Sequence, residues 1–209
     1  MTRSRYASMS RRAAIAAATL AAMATVAGCS GKTGGASEGD MAKGAPEGAK
    51  VTVVEYASVT CGVCAAWNAQ VWPEFKAKYV DTNKVRFVFR EFPTPPQDIA
   101  VAGFLIARCA GEDKYFDVVH DIMASQSEWA AGVAPRTTLF RAAAAAGLSQ
   151  EQTEACIRDE QAIQAMSDRI KAGIDAGVTG TPTFLVNGVK VADSSLSGLS
   201  TAIDAALAK

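Results

Sequence analysis

The sequence predicts an α/β domain interrupted by an all-helical subdomain. Three observations carry that reading. A β-branched, nearly continuous apolar run at 51–58 leads directly into a helical pattern, as a buried central strand would. From 98 to 177 every pattern is helical. The chain then closes on a strand, a two-residue turn, a strand and a helix.

The elements follow in chain order. Residues 1–29 read as a targeting segment. Arg3, Arg5, Arg11 and Arg12 precede an apolar run from Ala13 to Ala27, and no acidic residue occurs before Glu38. That run is shorter than the ~20 residues a membrane-spanning helix needs. It ends in Val26-Ala27-Gly28-Cys29, which resembles a bacterial lipoprotein box with Cys29 as the lipidated residue. The alternative is an ordinary signal peptide cut nearby, which leaves Cys29 an odd thiol. Ser10-Arg11-Arg12 also resembles the start of a twin-arginine export signal, although only Ala14 stands at the expected hydrophobic position. Ser30–Lys50, rich in Gly, Ala, Ser, Lys and Glu, reads as a flexible tether.

Residues 51–209 form the predicted domain. The strand at 51–58 is followed by a helix over 61–79, kinked at Pro73, and a second strand over 85–89. A Pro-rich loop at 90–96 precedes helices near 98–110, 113–125, 135–146, 149–157 and 159–176. Ser149 with Gln152 three residues on is a capping signal. Thr183–Val186 is the third strand, Asn187-Gly188 a hairpin turn, Val189–Val191 the return and 197–208 the last helix.

With 21 basic and 21 acidic side chains, nothing points to nucleic acid as a partner. The 49% hydrophobic content suits one domain with a sizeable core.

The chemistry centres on Cys61-Gly62-Val63-Cys64, where the first strand meets the first helix. Such a pair can be a redox centre, half a zinc site or two buried thiols. Zinc needs further ligands at suitable spacing, but Cys109 and Cys156 stand alone and His120 is the sole histidine, so no metal is expected. No cofactor is implied. In the redox reading Cys61 lies at a helix N-terminus, where unpaired N–H groups and the macrodipole favour a thiolate. Cys64, one turn on, is the more buried resolving thiol. Pro182 opens the third strand, either as an ordinary trans entry or as a cis bond after Thr181. Glu55, inside an apolar strand, is costly without a task. It either exchanges a proton with Cys64 or pairs structurally with a lysine. Cys109 and Cys156 are either buried small hydrophobes or, in an exported protein, a bridge.

Taken together, Glu-Tyr-Ala-Ser-Val-Thr-Cys-Gly-Val-Cys, the helical insertion and Gly-Thr-Pro-Thr-Phe-Leu-Val-Asn-Gly resemble the DsbA family of thioredoxin-fold disulfide oxidoreductases, over about residues 50–209. The resemblance implies a thioredoxin fold with the helices inserted. It implies that Cys61 attacks, that Pro182 is cis and faces the disulfide, and that Glu55 lies beneath it. Thr181 would present its backbone to substrate, and Cys109–Cys156 would be a structural disulfide. Expected partners are exported client proteins with cysteines, a membrane redox partner that resets the dithiol, and a membrane reached through the lipid anchor. The location expected is the periplasm or cell envelope. The best-known member has Pro-His between its cysteines; the uncharged Gly62-Val63 pair implies a less acidic Cys61 and a weaker oxidant. Other readings are a reductase or isomerase of the same fold, or a surface lipoprotein with little redox activity. A copper-handling relative would carry CxxxC with a distant histidine, which is not the pattern here.

Overall fold

The computed structural model describes residues 37–209. The segment 1–29 with Cys29, and residues 30–36, lie outside the described residues.

Five strands form one mixed sheet, in the order β1-β3-β2-β4-β5. They are β1 (Met41–Gly44), β2 (Thr52–Ala57), β3 (Arg86–Glu91), β4 (Thr183–Val186) and β5 (Val189–Val191). The central β2 runs parallel to β3 and antiparallel to β4. Its unbroken apolar run reflects burial on both faces. Alternation sends Val53, Glu55 and Ala57 to one face and Val54 and Tyr56 to the other. Val53 and Ala57 join the main core with Cys64, Trp67, Phe75, Phe104, Leu199 and Ile203. Val54 and Tyr56 join a smaller core with Val88, Val178 and Leu185.

The helices are α1 (Gly62–Gln70), α2 (Trp72–Phe75), α3 (Gln97–Cys109), α4 (Glu112–Ala124), α5 (Gln126–Ala130), α6 (Pro135–Ala145), α7 (Gln150–Cys156), α8 (Glu160–Asp175) and α9 (Leu196–Leu207). The expected kink at Pro73 is an interruption of one residue, Val71, which keeps αR backbone. α1 stops before Val71, and Pro73 falls in the first turn of α2, where its missing N–H costs nothing. A π-helical turn, Lys76–Val80, ends the segment. α8 crosses the smaller core so closely that a Cβ on Gly173 would lie 3.0 Å from Cε1 of Tyr56. The Ser149–Gln152 capping box is present, with Gln152 N donating to Ser149 Oγ at 3.1 Å. Asn187 and Gly188 both adopt positive φ, as their tight hairpin requires.

The expectation of a flexible tether over 30–50 is corrected for the residues from 37 on; 30–36 lie outside the described residues. Met41–Gly44 pairs antiparallel with β3 at the sheet edge. Gly44 is required where the strand ends: its φ is +85°, and a Cβ would sit 2.5 Å from Val85 O. Just before the strand, Asp40 receives Arg90 through two hydrogen bonds of 2.8 Å. Composition alone did not reveal this strand because its partners lie more than forty residues on.

Cys109 and Cys156, the last residues of α3 and α7, are joined by a disulfide across a sequence separation of 47. A loop of that length corresponds to roughly 3–4 kcal/mol of denatured-state entropy. The Pro95–Pro96 and Thr181–Pro182 peptide bonds are cis. Among the described residues no helix is long and apolar enough to cross a membrane.

Candidate active site

The turn from β2 into α1 builds the site. Ser58 is fully buried, and its hydroxyl accepts the N–H groups of Thr60 (3.3 Å) and Thr94 (3.1 Å). The Thr60 hydroxyl donates to Thr94 O at 2.8 Å. This network pins the approach to Cys61 against the Pro-rich loop after β3.

Cys61 is the N-cap of α1, with extended backbone, and its sulfur takes the place of the usual capping oxygen. Sγ accepts the Cys64 N–H at 3.2 Å. Both cysteines are present as free thiols. Cys61 is half-buried, Cys64 is 0% exposed, and Val63 between them is 65% exposed. Thus only the first sulfur can meet a protein-sized partner.

The electrostatics separate the two thiols. Cys61 is lowered to about 6, chiefly by a hydrogen bond from the Cys64 thiol, with further help from Thr181 and the α1 backbone. Cys64 is driven strongly upward by that same bond, by burial, and by the negative charges of Cys61 and Glu55. With Cys61 lowered and Cys64 raised, the first sulfur ionises near neutrality while the second keeps its proton. Because Cys61 is depressed in the folded state, its thiolate stabilises the reduced protein fully above the free-cysteine pKa of about 8.5. That contribution fades as pH falls through about 6. The rate of Cys61 alkylation against pH is expected to show a midpoint near 6. A midpoint at the free-cysteine value of about 8.5 would overturn this assignment.

Glu55 is 3% exposed, on the sheet face that Cys64 packs against. Burial, and then the Cys61 charge, push its carboxyl up to about 8. Its Oε1 has no hydrogen-bond partner, and Glu55 makes no ion pair among the described residues. The lysine-paired alternative is therefore not realised there, and a carboxyl that changes charge near neutrality is available to the buried thiol. From the far side of the chain, Thr181 O lies 3.6 Å from Cys61 Sγ, and Pro182 follows it into β4. The fold thus brings Cys61, Cys64, Glu55 and Thr181–Pro182 together. Cys109–Cys156 lies apart, in the helical subdomain.

Trp67 is a core residue whose Nε1 donates to Ser194 O at 2.8 Å. His120 packs edge-on to Trp72 and Phe116, and burial lowers it to about 4. Sequence reasoning missed Gln126, whose Nε2 donates to Val59 O at 2.8 Å and Cys61 O at 3.3 Å. No sequence signal marks it, because α5 itself was not foreseen. Ser58 and Thr60, two hydroxyl residues on either side of Val59, were a visible sign of the first network.

Comparison with known proteins agrees with this geometry. A family model described as Thioredoxin matches residues 36–205. The chain is 35% identical over 172 residues to a Rickettsia bellii protein named "Putative protein-disulfide oxidoreductase", covering 81% of this chain and 65% of that one. A similarly named Rickettsia conorii protein is 38% identical over 160 residues, covering 75% and 57%. The chain thus spans less than two thirds of the length of these relatives. Among solved structures, Wolbachia pipientis alpha-DsbA1 superposes with a TM-score of 0.75 at 26% identity, covering 83% of this chain and 94% of that one. A thioredoxin-like oxidoreductase from Silicibacter pomeroyi gives 0.66 at 25% identity, covering 83% and 95%. A five-stranded sheet with inserted helices, a CxxC pair at a helix start and the match across residues 36–205 lead to one assignment: the chain belongs to the thioredoxin family, among its DsbA-like members.

Proposed function

We propose that this protein is a thiol–disulfide oxidoreductase of the bacterial cell envelope that forms disulfides in exported proteins through Cys61–Cys64. The observation that carries the reading is a half-exposed, acidic Cys61 one helical turn from a fully buried, strongly basic Cys64. In the oxidised protein, a client thiolate attacks Cys61 Sγ, the Cys61–Cys64 bond breaks, and Cys64 leaves and takes up a proton. Glu55 is the group we assign to exchange that proton. A second client thiolate then attacks the client sulfur of the mixed disulfide and releases Cys61 as thiolate. Two electrons pass to the protein, and a membrane redox partner removes them. The backbone of Thr181, ahead of Pro182, lies beside the reacting sulfur and would pair with an extended client segment.

What supports the oxidising direction is the thiolate: stabilising the reduced form makes the disulfide a better electron acceptor. Equilibration with glutathione tests this. A potential above about −200 mV supports the oxidase reading, whereas one near the thioredoxin value of about −270 mV marks a reductase. Failure to oxidise a dithiol peptide at any ratio would leave a lipoprotein without redox function.

Envelope anchoring through Cys29 belongs to the same proposal, supported by the apolar run and the Val26-Ala27-Gly28-Cys29 sequence. Labelled fatty acid should enter the wild type but not Cys29→Ala. Equal labelling of both would refute the anchor.

A further inference from the structure

We propose that Gln126 is a positioning residue for the reactive thiol: from the helical subdomain it holds the Cys61 carbonyl, and through it the orientation of Cys61 Sγ. Gln126 opens α5, more than sixty residues from the turn it touches. Its Nε2 donates to Val59 O and to Cys61 O, the two carbonyls that flank Thr60. The same Cys61 carbonyl accepts Ala65 N–H at 3.0 Å, the first bond of α1. The amide thus fixes the peptide plane just after the N-cap residue. That plane belongs to the Cys61 ψ of 114°, the extended torsion at which Sγ meets the Cys64 N–H.

The helix that carries Gln126 is itself held. Ser125, just before it, is buried and its Oγ donates to Asp121 O at 2.8 Å. Two residues on, Glu128 receives Arg141, and Trp129 Nε1 donates to Thr138 Oγ1 at 2.7 Å. The turn it grips is also packed against α3: a Cβ on Gly103 would lie 3.0 Å from Val59 Cγ2. A side chain carried on a helix held in this way, with both donor contacts on the turn that bears Cys61, sets geometry rather than filling space.

Three variants of the full chain separate donation from bulk. Gln126→Ala removes the donor, and Cys61 can leave the Cys64 N–H. Gln126→Glu turns a carboxylate on two carbonyl oxygens and adds a negative charge near the thiolate, which favours the thiol. Gln126→Lys keeps a donor and adds a positive charge. The readout is the pH midpoint of Cys61 alkylation beside the melting temperature. Alkylation near the wild-type midpoint should slow about three- to tenfold in Gln126→Ala, and at least as much in Gln126→Glu, since each pKa unit is a factor of ten. Gln126→Lys should match or exceed the wild type. A merely structural role would lower the melting temperature in all three and leave the midpoint in place; that result overturns the proposal, as does equal slowing in Ala and Lys. The inference rests on Cys61 being the reactive thiol, but alkylation needs no client. Shifted midpoints in a protein that oxidises no dithiol would therefore sink the oxidoreductase reading and leave this one standing.

Discussion

Cys61→Ser is expected to reduce dithiol exchange by on the order of 10³-fold or more, and Cys64→Ser to accumulate mixed disulfides with client proteins. The two losses differ because the two sulfurs differ. A serine hydroxyl at 61 is not ionised near neutrality, so neither nucleophile nor disulfide remains. At 64 the consequence is a missing exit. Once Cys61 is bonded to a client, it carries no charge and accepts no proton from Cys64. Two of the causes that hold Cys64 upward, the hydrogen bond to Cys61 and its charge, thereby vanish. Cys64 becomes able to ionise when it is needed to attack and release the client. Without it, the mixed disulfide that forms when the Cys61 thiolate attacks a client disulfide and displaces one client sulfur loses its exit through Cys64, and it survives on non-reducing gels wherever no second client thiol is in reach. Adducts that instead form on Cys61→Ser through Cys64 would reverse the assignment, and burial at 0% exposure argues against that outcome.

Glu91→Ala is expected to lose about 3 kcal/mol of stability, the largest effect away from the cysteines, lowering the melting temperature by roughly 6–12 °C for a chain of this size. Glu91 is the last residue of β3, and its side chain is 1% exposed. Its two carboxylate oxygens receive Arg108 from α3, Tyr115 from α4 at 3.0 Å and Arg169 from α8 at 3.3 Å. Arg108 also donates to Gly39 O, just ahead of β1. One buried carboxylate therefore ties the sheet to three helices of the inserted block. Removing it leaves two arginines without their counter-charge and a buried phenol without an acceptor, and an orphaned charge costs more than the intact pair contributes. The arginines remain 16% and 22% exposed and can recover some hydration, so the loss falls at the lower end of the buried-pair range of about 3–5 kcal/mol. Glu91→Gln keeps an acceptor and should lose less. A melting temperature for Glu91→Ala within about 2 °C of wild type would show that the cluster contributes little.

Several features of this molecule were legible in the residues because their causes are local. β2 and β4 are apolar runs of strand length, Asn187-Gly188 is the turn its positive φ values demand, and Ser149–Gln152 caps its own helix. The cysteine pair was legible for the same reason: a strand that runs directly into a helix presents its first sulfur to free backbone N–H groups. Errors came where the deciding partner is distant. β3 runs two residues beyond its apolar stretch, to Glu91. Arg90 and Glu91 pair in register with Tyr56 and Ala57 and find their counter-charges on Asp40 and Arg108. Residues 41–44 read as tether because an edge strand of four residues has too little pattern of its own; β3 supplies its hydrogen bonds.

The sequence by itself determined the mixed α/β order, the helical insertion, the redox-type cysteine pair and the proline that opens β4. Only the tertiary structure decided that Glu55 meets no counter-charge among the described residues, that Thr181 O stands 3.6 Å from Cys61 Sγ, and that Gln126 grips the turn that bears Cys61. The physical reason is range. Helix caps, turns and alternation act within a few residues, whereas the acidity of a buried group depends on every charge and donor packed around it, wherever in the chain those began.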